Sequence, residues 1–241
     1  MGLYLGGQIL GTTGYEEAGA LGLYAGANAA LGIIGGPALT LDRADSYLGV
    51  MVDDLTTRGV TEPYRMFTSR AEFRLSLRED NALDRLAPLA GRIGLLSDAQ
   101  KCESASRERR LEEAMAVLHA HRLRSADIPE DQLSAPLPPD GGTLHDLLRR
   151  ADMSIDRILE WRPLPALSVL TARERLALTI RVRYEGYIVR ERKEIEKFRR
   201  IDGIRIPADF RFSDLPGLST EVCERLGRVR PPTLGMASRL E

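Results

Sequence analysis

The sequence predicts a mainly α-helical protein on three observations. Ser/Thr-x-x-Glu patterns open two segments, apolar residues recur at helical spacing through the long stretches, and strand signals are few. The 241 residues are 43% hydrophobic and 29% charged, with a formal net charge of −1. That supports one large or two small domains with real cores, and confines any nucleic-acid surface to a local patch. With 5% aromatics, platforms that stack single-stranded bases are disfavoured. Cys102 and Cys223 are too far apart for a CxxC redox or metal motif and read as ordinary small apolar residues. Of the three histidines, His119 and His121 point to different sides of a helix and His145 is distant, so the sequence offers no metal set.

Taken in order, Leu3-Tyr4-Leu5 reads as a short buried strand, followed by the turn Gly6-Gly7-Gln8-Ile9-Leu10-Gly11. Thr13-Gly14-Tyr15-Glu16 fits a capping box and predicts a helix to about Ala30. Ala18, Gly22, Ala25, Gly26 and Ala29 give that helix a small-residue face open to a close backbone neighbour. Ala18 to Leu41 carries no charge, but its Gly/Ala composition, Asn28 and the Gly35-Gly36-Pro37 break argue against a membrane span. No basic residue precedes Arg43, so a secretory n-region is missing; the expectation is a cytoplasmic protein with no membrane partner. Tyr47 to Val52 and a piece near Phe210 carry weak strand signals. Ser69-Arg70-Ala71-Glu72 is a second capping box, predicting a helix through Leu75 to about Glu79. Helices follow over Leu83 to Leu96 and Ala105 to His121, and Pro129 to Gly142 reads as an exposed connection. A long helix starts at Thr171, with Leu176, Ile180, Tyr184, Tyr187, Ile188, Ile195 and Phe198 as its apolar face. Gly186 inside it predicts a closely packed neighbour. LSTEVCERL near the end predicts a short helix capped by Ser219.

The glycine-rich turn running into a helix suits an anion, because free amides and the positive dipole end face the same way. The same pattern often only joins a strand to a helix, and no GxGxxG is present. Two basic faces stand out. Arg70, Arg74 and Arg78 recur every four residues with Arg65 just upstream, suiting phosphates; pairing with Asp53, Asp54, Glu72 and Asp80 is the alternative. Arg190, Arg192, Lys193, Lys197, Arg199 and Arg200 form the densest basic stretch, where Arg190–Glu194, Arg192–Glu196 and Glu196–Arg200 could instead pair along a solvated face. From Leu170 onward the chain has 16 basic and 11 acidic residues.

Several long strings resemble the MnmG (GidA) family of tRNA uridine 5-carboxymethylaminomethyl modification enzymes. They are GLYLGGQILGTTGYEEAGALGLYAGANAAL at 2–31, SYLGVMVDDLTTRGVTEPYRMFTSRAEFRLSLREDNALDRL at 46–86, RYEGYIVRERKEIEKF at 183–198, and LSTEVCERL and RPPTLGMASR near the end. The likeness is loosest over 97–165, and it departs at Leu10, where the family usually has Asn, and at AGALG over 18–22, where it has AAAQG. The resemblance implies a C-terminal portion of a flavoenzyme, inactive by itself. Residues 1–36 would be the last strand and helix of the FAD domain and 37–150 a helical middle region with a linker near 129–142. Residues 151–241 would form a helical domain for tRNA and partner binding. It implies FAD, not retained by this portion, against Gln8, Gly11, Thr12, Thr13 and Gly14. NADH and methylenetetrahydrofolate would be co-substrates, the GTPase MnmE a partner, and the whole enzyme a homodimer. The tRNA-binding expectation then falls on Arg65, Arg70, Arg74, Arg78 and the 190–200 stretch, and no catalytic residue is assigned. A stand-alone helical protein-binding adaptor is the alternative reading, and the tail of a generic FAD-dependent disulfide reductase a third, with a basic half surplus to that fold.

Overall fold

The computed structural model describes residues 2–129 and 137–240, and among these the chain is helical with one two-stranded sheet. It forms two compact units: residues 1–77 with 190–241, and residues 78–189. The first unit is therefore built from both ends of the chain, and residues 151–189 lie with the middle region.

In the second unit, α3 (Ala82–Arg92) and α4 (Asp98–Ala120) are followed by strands β1 (Arg122–Leu123) and β2 (Gly142–Thr143). The strands pair antiparallel, Arg122 opposite Thr143 and Leu123 opposite Gly142. The connection expected over 129–142 falls partly outside the described residues. Short helices α5 (Leu144–Leu148), α6 (Ile155–Trp161) and α7 (Pro165–Ser168) then lead to α8 (Ala172–Arg183). Ser97 with Gln100 and Thr171 with Glu174 close complete capping boxes at the starts of α4 and α8, satisfying amides that an uncapped helix leaves open. Leu111, Ala114 and Leu118 put one stripe of α4 into a core shared with Leu144, Leu147, Ile158, Leu167, Leu178 and Val182. Beside it, buried Glu174 accepts hydrogen bonds from Arg110 at 2.7 and 3.0 Å.

The long helix expected from Thr171 breaks at Tyr184, and α9 (Glu185–Asp202) starts one residue later. Its predicted apolar face is split: Leu176, Tyr184 and Tyr187 are exposed and Ile195 is buried, while Ala177, Leu178 and Val182, outside that face, are buried. The break resets the helical phase, so one periodicity could not serve both sides of it. Gly186 has no described atom within 4 Å of where a Cβ would stand, so the close neighbour expected there is absent among the described residues.

The first unit contains α1 (Tyr15–Ile33), α2 (Tyr47–Thr57), the C-terminal part of α9, α10 (Thr220–Val229) and α11 (Leu234–Ser238). Residues 3–5 are not a strand: they have no ladder partner among the described residues, and Leu3, Tyr4 and Leu5 are exposed. They run along α1, where Tyr4 donates to the Asn28 carbonyl at 3.3 Å, and a Cβ on Gly6 would come within 3.4 Å of the Gly22 amide. The small-residue face of α1 thus does admit a backbone. Asn28 bonds Leu39 in both directions, its amide to the carbonyl and its oxygen from the N–H. Among the described residues, no helix is long and apolar enough to cross a membrane.

Tyr47 to Val52 is helix rather than strand, because Ser46 accepts from the Gly49 amide and opens α2. Near Phe210 there is likewise no strand, but a 3₁₀ turn over Phe212–Asp214. The α-helix expected from Ser69 is also absent. A single 3₁₀ turn spans Thr68–Arg70, and Ala71 is extended. The reason is tertiary: Glu72, which should have closed the capping box, is held by Arg43 at 3.0 and 3.1 Å. Ser219, in contrast, caps α10 as expected, accepting from Val222.

Arg43 is the hub of this unit. It is 3% exposed, and its guanidinium donates to Asp53, Asp54 and Glu72 and to the carbonyls of Val50 and Arg70. Burial opposes its charge, yet the bonds to Asp54 and Glu72 hold its pKa above the ordinary arginine value. Arg239 beyond α11 adds a second layer, bridging Asp53 and Asp202 at 2.7 and 3.0 Å. Removing one partner of a buried charge cluster leaves the others uncompensated. Arg43→Ala should therefore cost about 3–5 kcal/mol of stability, measured by urea denaturation; a loss below about 1 kcal/mol would show that the carboxylates find water instead.

Candidate functional site

The turn before α1 is a short 3₁₀ helix, Gly7–Leu10, ended by Gly11 at φ +80°. A Cβ at Gly11 would also stand 2.9 Å from the Val60 side chain, so both conformation and space call for glycine. Thr12 is fully buried, and its hydroxyl donates to the Gly7 carbonyl at 2.9 Å, locking the turn from inside. The Gly11 carbonyl accepts from the Tyr64 amide at 2.8 Å, and Thr12 forms a parallel bridge with Tyr64. Tyr64 in turn donates to Asp54 at 2.9 Å. Burial and that carboxylate push its hydroxyl well above the ordinary tyrosine range.

An open cavity of about 530 Å³ lies against this turn, lined by Gln8, Gly11 and Thr13 on one side and by Val60, Thr61 and Glu62 on the other. Of the residues expected at a cofactor, Gln8, Gly11 and Thr13 face the cavity, whereas Thr12 and Gly14 shape the turn behind it.

The capping box expected from Thr13 does not form. Gly14 is the N-cap of α1, and no side chain caps it. Glu17 takes over instead. Its carboxylate, nearly buried, accepts from the Met66 amide at 2.9 Å and from Arg65 at 3.2 Å. Its other oxygen lies 1.9 Å from where a Cβ of residue 14 would be. The Met66 amide holds this carboxyl below its ordinary value of 4.5, against burial that pushes it up. The positive end of α1 is thus partly answered by the helix's own acid. The surface left to a ligand is the Gln8–Gly11 side of the turn.

The basic residues divide sharply. Because no helix forms after Ser69, Arg70, Arg74 and Arg78 do not share a stripe. Arg65 is taken by Glu17 and Arg78 by Asp80 at 2.8 Å. Arg70 donates to the Arg65 carbonyl, lies 4.5 Å from the Tyr64 ring centroid and approaches Asp54 at 3.7 Å. Arg74 donates to the carbonyls of Ala71 and Ser69. These arginines hold their segment together.

Helix α9 is different. Glu191, Ile195 and Phe198 form its inner stripe: Glu191 accepts from Leu75 and Ser76, Ile195 is buried, and Phe198 meets Phe73 edge-on at 5.4 Å. Lys193, Lys197 and Arg200, spaced i, i+4 and i+7, fall on the opposite stripe and are exposed. Arg192 and Arg200 form no ion pair with Glu196 among the described residues, contrary to the alternative reading. Arg199, expected in the same group, is held by Asp42 and Asp45 at 2.7 Å each. Of the cysteines, Cys223 is half-buried against the Phe212 carbonyl, while Cys102 is exposed.

Three family models match the chain. "Glucose inhibited division protein A" covers residues 1–37, and the MnmG/GidA tRNA modifying enzyme C-terminal helical domain and helical bundle cover 100–192 and 194–241. The chain is 44% identical over 239 residues to the tRNA uridine 5-carboxymethylaminomethyl modification enzyme MnmG of Syntrophotalea carbinolica, across 99% of this chain and 38% of that protein. It is also 44% identical to MnmG of a Roseiflexus species, across 99% of this chain and 35% of the relative. The crystal structure of Aquifex aeolicus GidA in its form II crystal superposes with a TM-score of 0.81 at 38% identity, over all of this chain and 38% of that one. The chain therefore spans under two-fifths of the length of these relatives.

Glu17 supplies a pH signature. A carboxyl with a lowered folded pKa contributes its full stabilisation above its unfolded value, near 4.5, and loses it as pH falls through the folded one. Glu17→Gln should flatten the acid limb of the stability curve below about pH 4.5, read as urea midpoints over a pH series. An unchanged acid limb would mean that the carboxylate is not what Met66 and Arg65 hold.

Proposed function

The chain belongs to the MnmG/GidA family of tRNA-modifying enzymes, and from that premise we propose that it supplies a tRNA-binding helix and one edge of a flavin site. The whole enzyme, on this reading, uses FAD, NADH and methylenetetrahydrofolate. With the GTPase MnmE, and as a homodimer, it adds an aminomethyl or carboxymethylaminomethyl group to C5 of the wobble uridine of certain tRNAs. The observation that carries the tRNA part is the stripe Lys193, Lys197 and Arg200, exposed opposite a buried face on the same helix. Cations held outward on a rigid element suit a phosphate backbone, which fixes register and carries no base information. Arg192, exposed on the same helix, extends this surface. Arg65, Arg70, Arg74, Arg78 and Arg199 are better assigned to shaping the fold, since each is engaged by its own chain.

The flavin part rests on the turn. FAD, when bound, supplies the redox chemistry. In this chain, Gln8 lines the cavity, Gly11 lets the backbone come close, and Thr12 keeps the turn rigid. Gly14→Val in the whole enzyme should lower flavin content, because its Cβ takes the space of the Glu17 carboxylate and unseats the turn. The visible flavin absorption band relative to protein is the readout, and a band of parental height would remove the assignment.

Binding of tRNA should depend steeply on salt, with each lost phosphate contact flattening the log–log slope by a little under one unit. Changing Lys193, Lys197 and Arg200 together to Glu should weaken binding at low salt by more than about tenfold, if each contact contributes ~1 kcal/mol. A triple variant with parental affinity and slope would return the stripe to a solvated face or a protein-docking surface.

A further inference from the structure

The structure brings together two histidines that the sequence keeps apart. His119 in the last turn of α4 and His145 at the start of α5 stack face to face, with ring centroids 4.1 Å apart and planes 21° off parallel. Glu185, the first residue of α9, closes the third side, and one donor atom from each residue lies within 4.8 Å of the others. We propose that His119, His145 and Glu185 bind a divalent transition-metal ion of the zinc type, a site on the second unit separate from the flavin turn and the basic stripe.

Two features support this. His145 is 4% exposed, yet its Nε2 has no hydrogen-bond partner. The nearest acceptor, Glu185, stands 3.4 Å away, at the outer edge of an ion pair. Buried polar atoms are normally satisfied, so this one lacks a partner that a metal would provide. Second, two nitrogens and one carboxylate oxygen are a donor set suited to zinc, and the exposure of His119 and Glu185 leaves room for a water in a fourth position. Bonds of about 2.0–2.1 Å require donors roughly 3.3 Å apart, so the widest-spaced of the three must draw in by up to about 1.5 Å. The two exposed side chains can supply that shift by rotation.

The test uses the 241-residue chain, stripped with chelator and titrated with Co²⁺ and then with Zn²⁺ alone. The expected result is one ion per chain, with the visible absorption of a four-coordinate cobalt centre that zinc abolishes. His119→Gln and Glu185→Gln should each lower affinity about tenfold or more. Both positions are exposed, so the melting temperature of the metal-free variants should stay parental. His121→Gln should bind like the parent, since that ring faces the Val117 carbonyl instead. A parent without the cobalt band overturns the proposal, as does a band that survives both ligand variants or disappears with His121→Gln.

Discussion

The first unit depends on a single buried cation. Arg43 gathers Asp53, Asp54 and Glu72 from two stretches of chain. Asp54, nearly fully buried among them, would be costly to bury without it. Its hold extends through a chain of hydrogen bonds to the candidate cofactor turn. Asp54, fixed by Arg43, accepts from the Tyr64 hydroxyl, and the Tyr64 amide donates to the carbonyl of Gly11. The position of the glycine turn is thereby tied to a salt-bridge cluster that touches no ligand itself. On its other side, Asp53 also receives Arg239. One carboxylate pair therefore serves both ends of the chain.

How far the sequence can be read depends on whether a residue's partner is local. Ser219 caps α10 through an amide three residues on, and that pattern is visible in the letters. At Ser69–Glu72 the same pattern is equally visible and fails, because Arg43, twenty-nine residues upstream, takes the glutamate. Tyr47–Val52 reads as β for its aromatic and branched side chains, yet Ser46 and the acids that face Arg43 need a helix there. The glycine turn is legible in the right place, but the letters point to Thr13 as the cap of α1, when Gly14 stands there without a side-chain cap and Glu17 is drawn to the Met66 amide. The paired histidines are invisible for a similar reason: only the packing of α4 against α5 sets one ring on the other.

Charge shows the same divide. Arginines near Ser69 and lysines near Ile195 look alike as composition, and their spacing suggests equivalent roles. In the folded chain the first group is spent on carbonyls of its own segment and on carboxylates that include Glu17 of α1, with planar forks suited to such bonds. The second includes two of the chain's three lysines, Lys193 and Lys197, held outward by a helix whose opposite side is occupied. A lysine's compact ammonium is a point charge with few geometric demands, which suits a backbone that is met in more than one register.

The packing of Glu17 over Gly14 makes one position conditional on the other. The acid fills the volume that any side chain at the glycine would need, so residue 14 cannot gain one while Glu17 keeps its place. Tolerated change at residue 14 should arrive only with a shortened residue at 17, and a shortened residue 17 opens room that residue 14 could then occupy. Among descendants of this sequence, residue 14 should therefore depart from glycine only where residue 17 has already shortened.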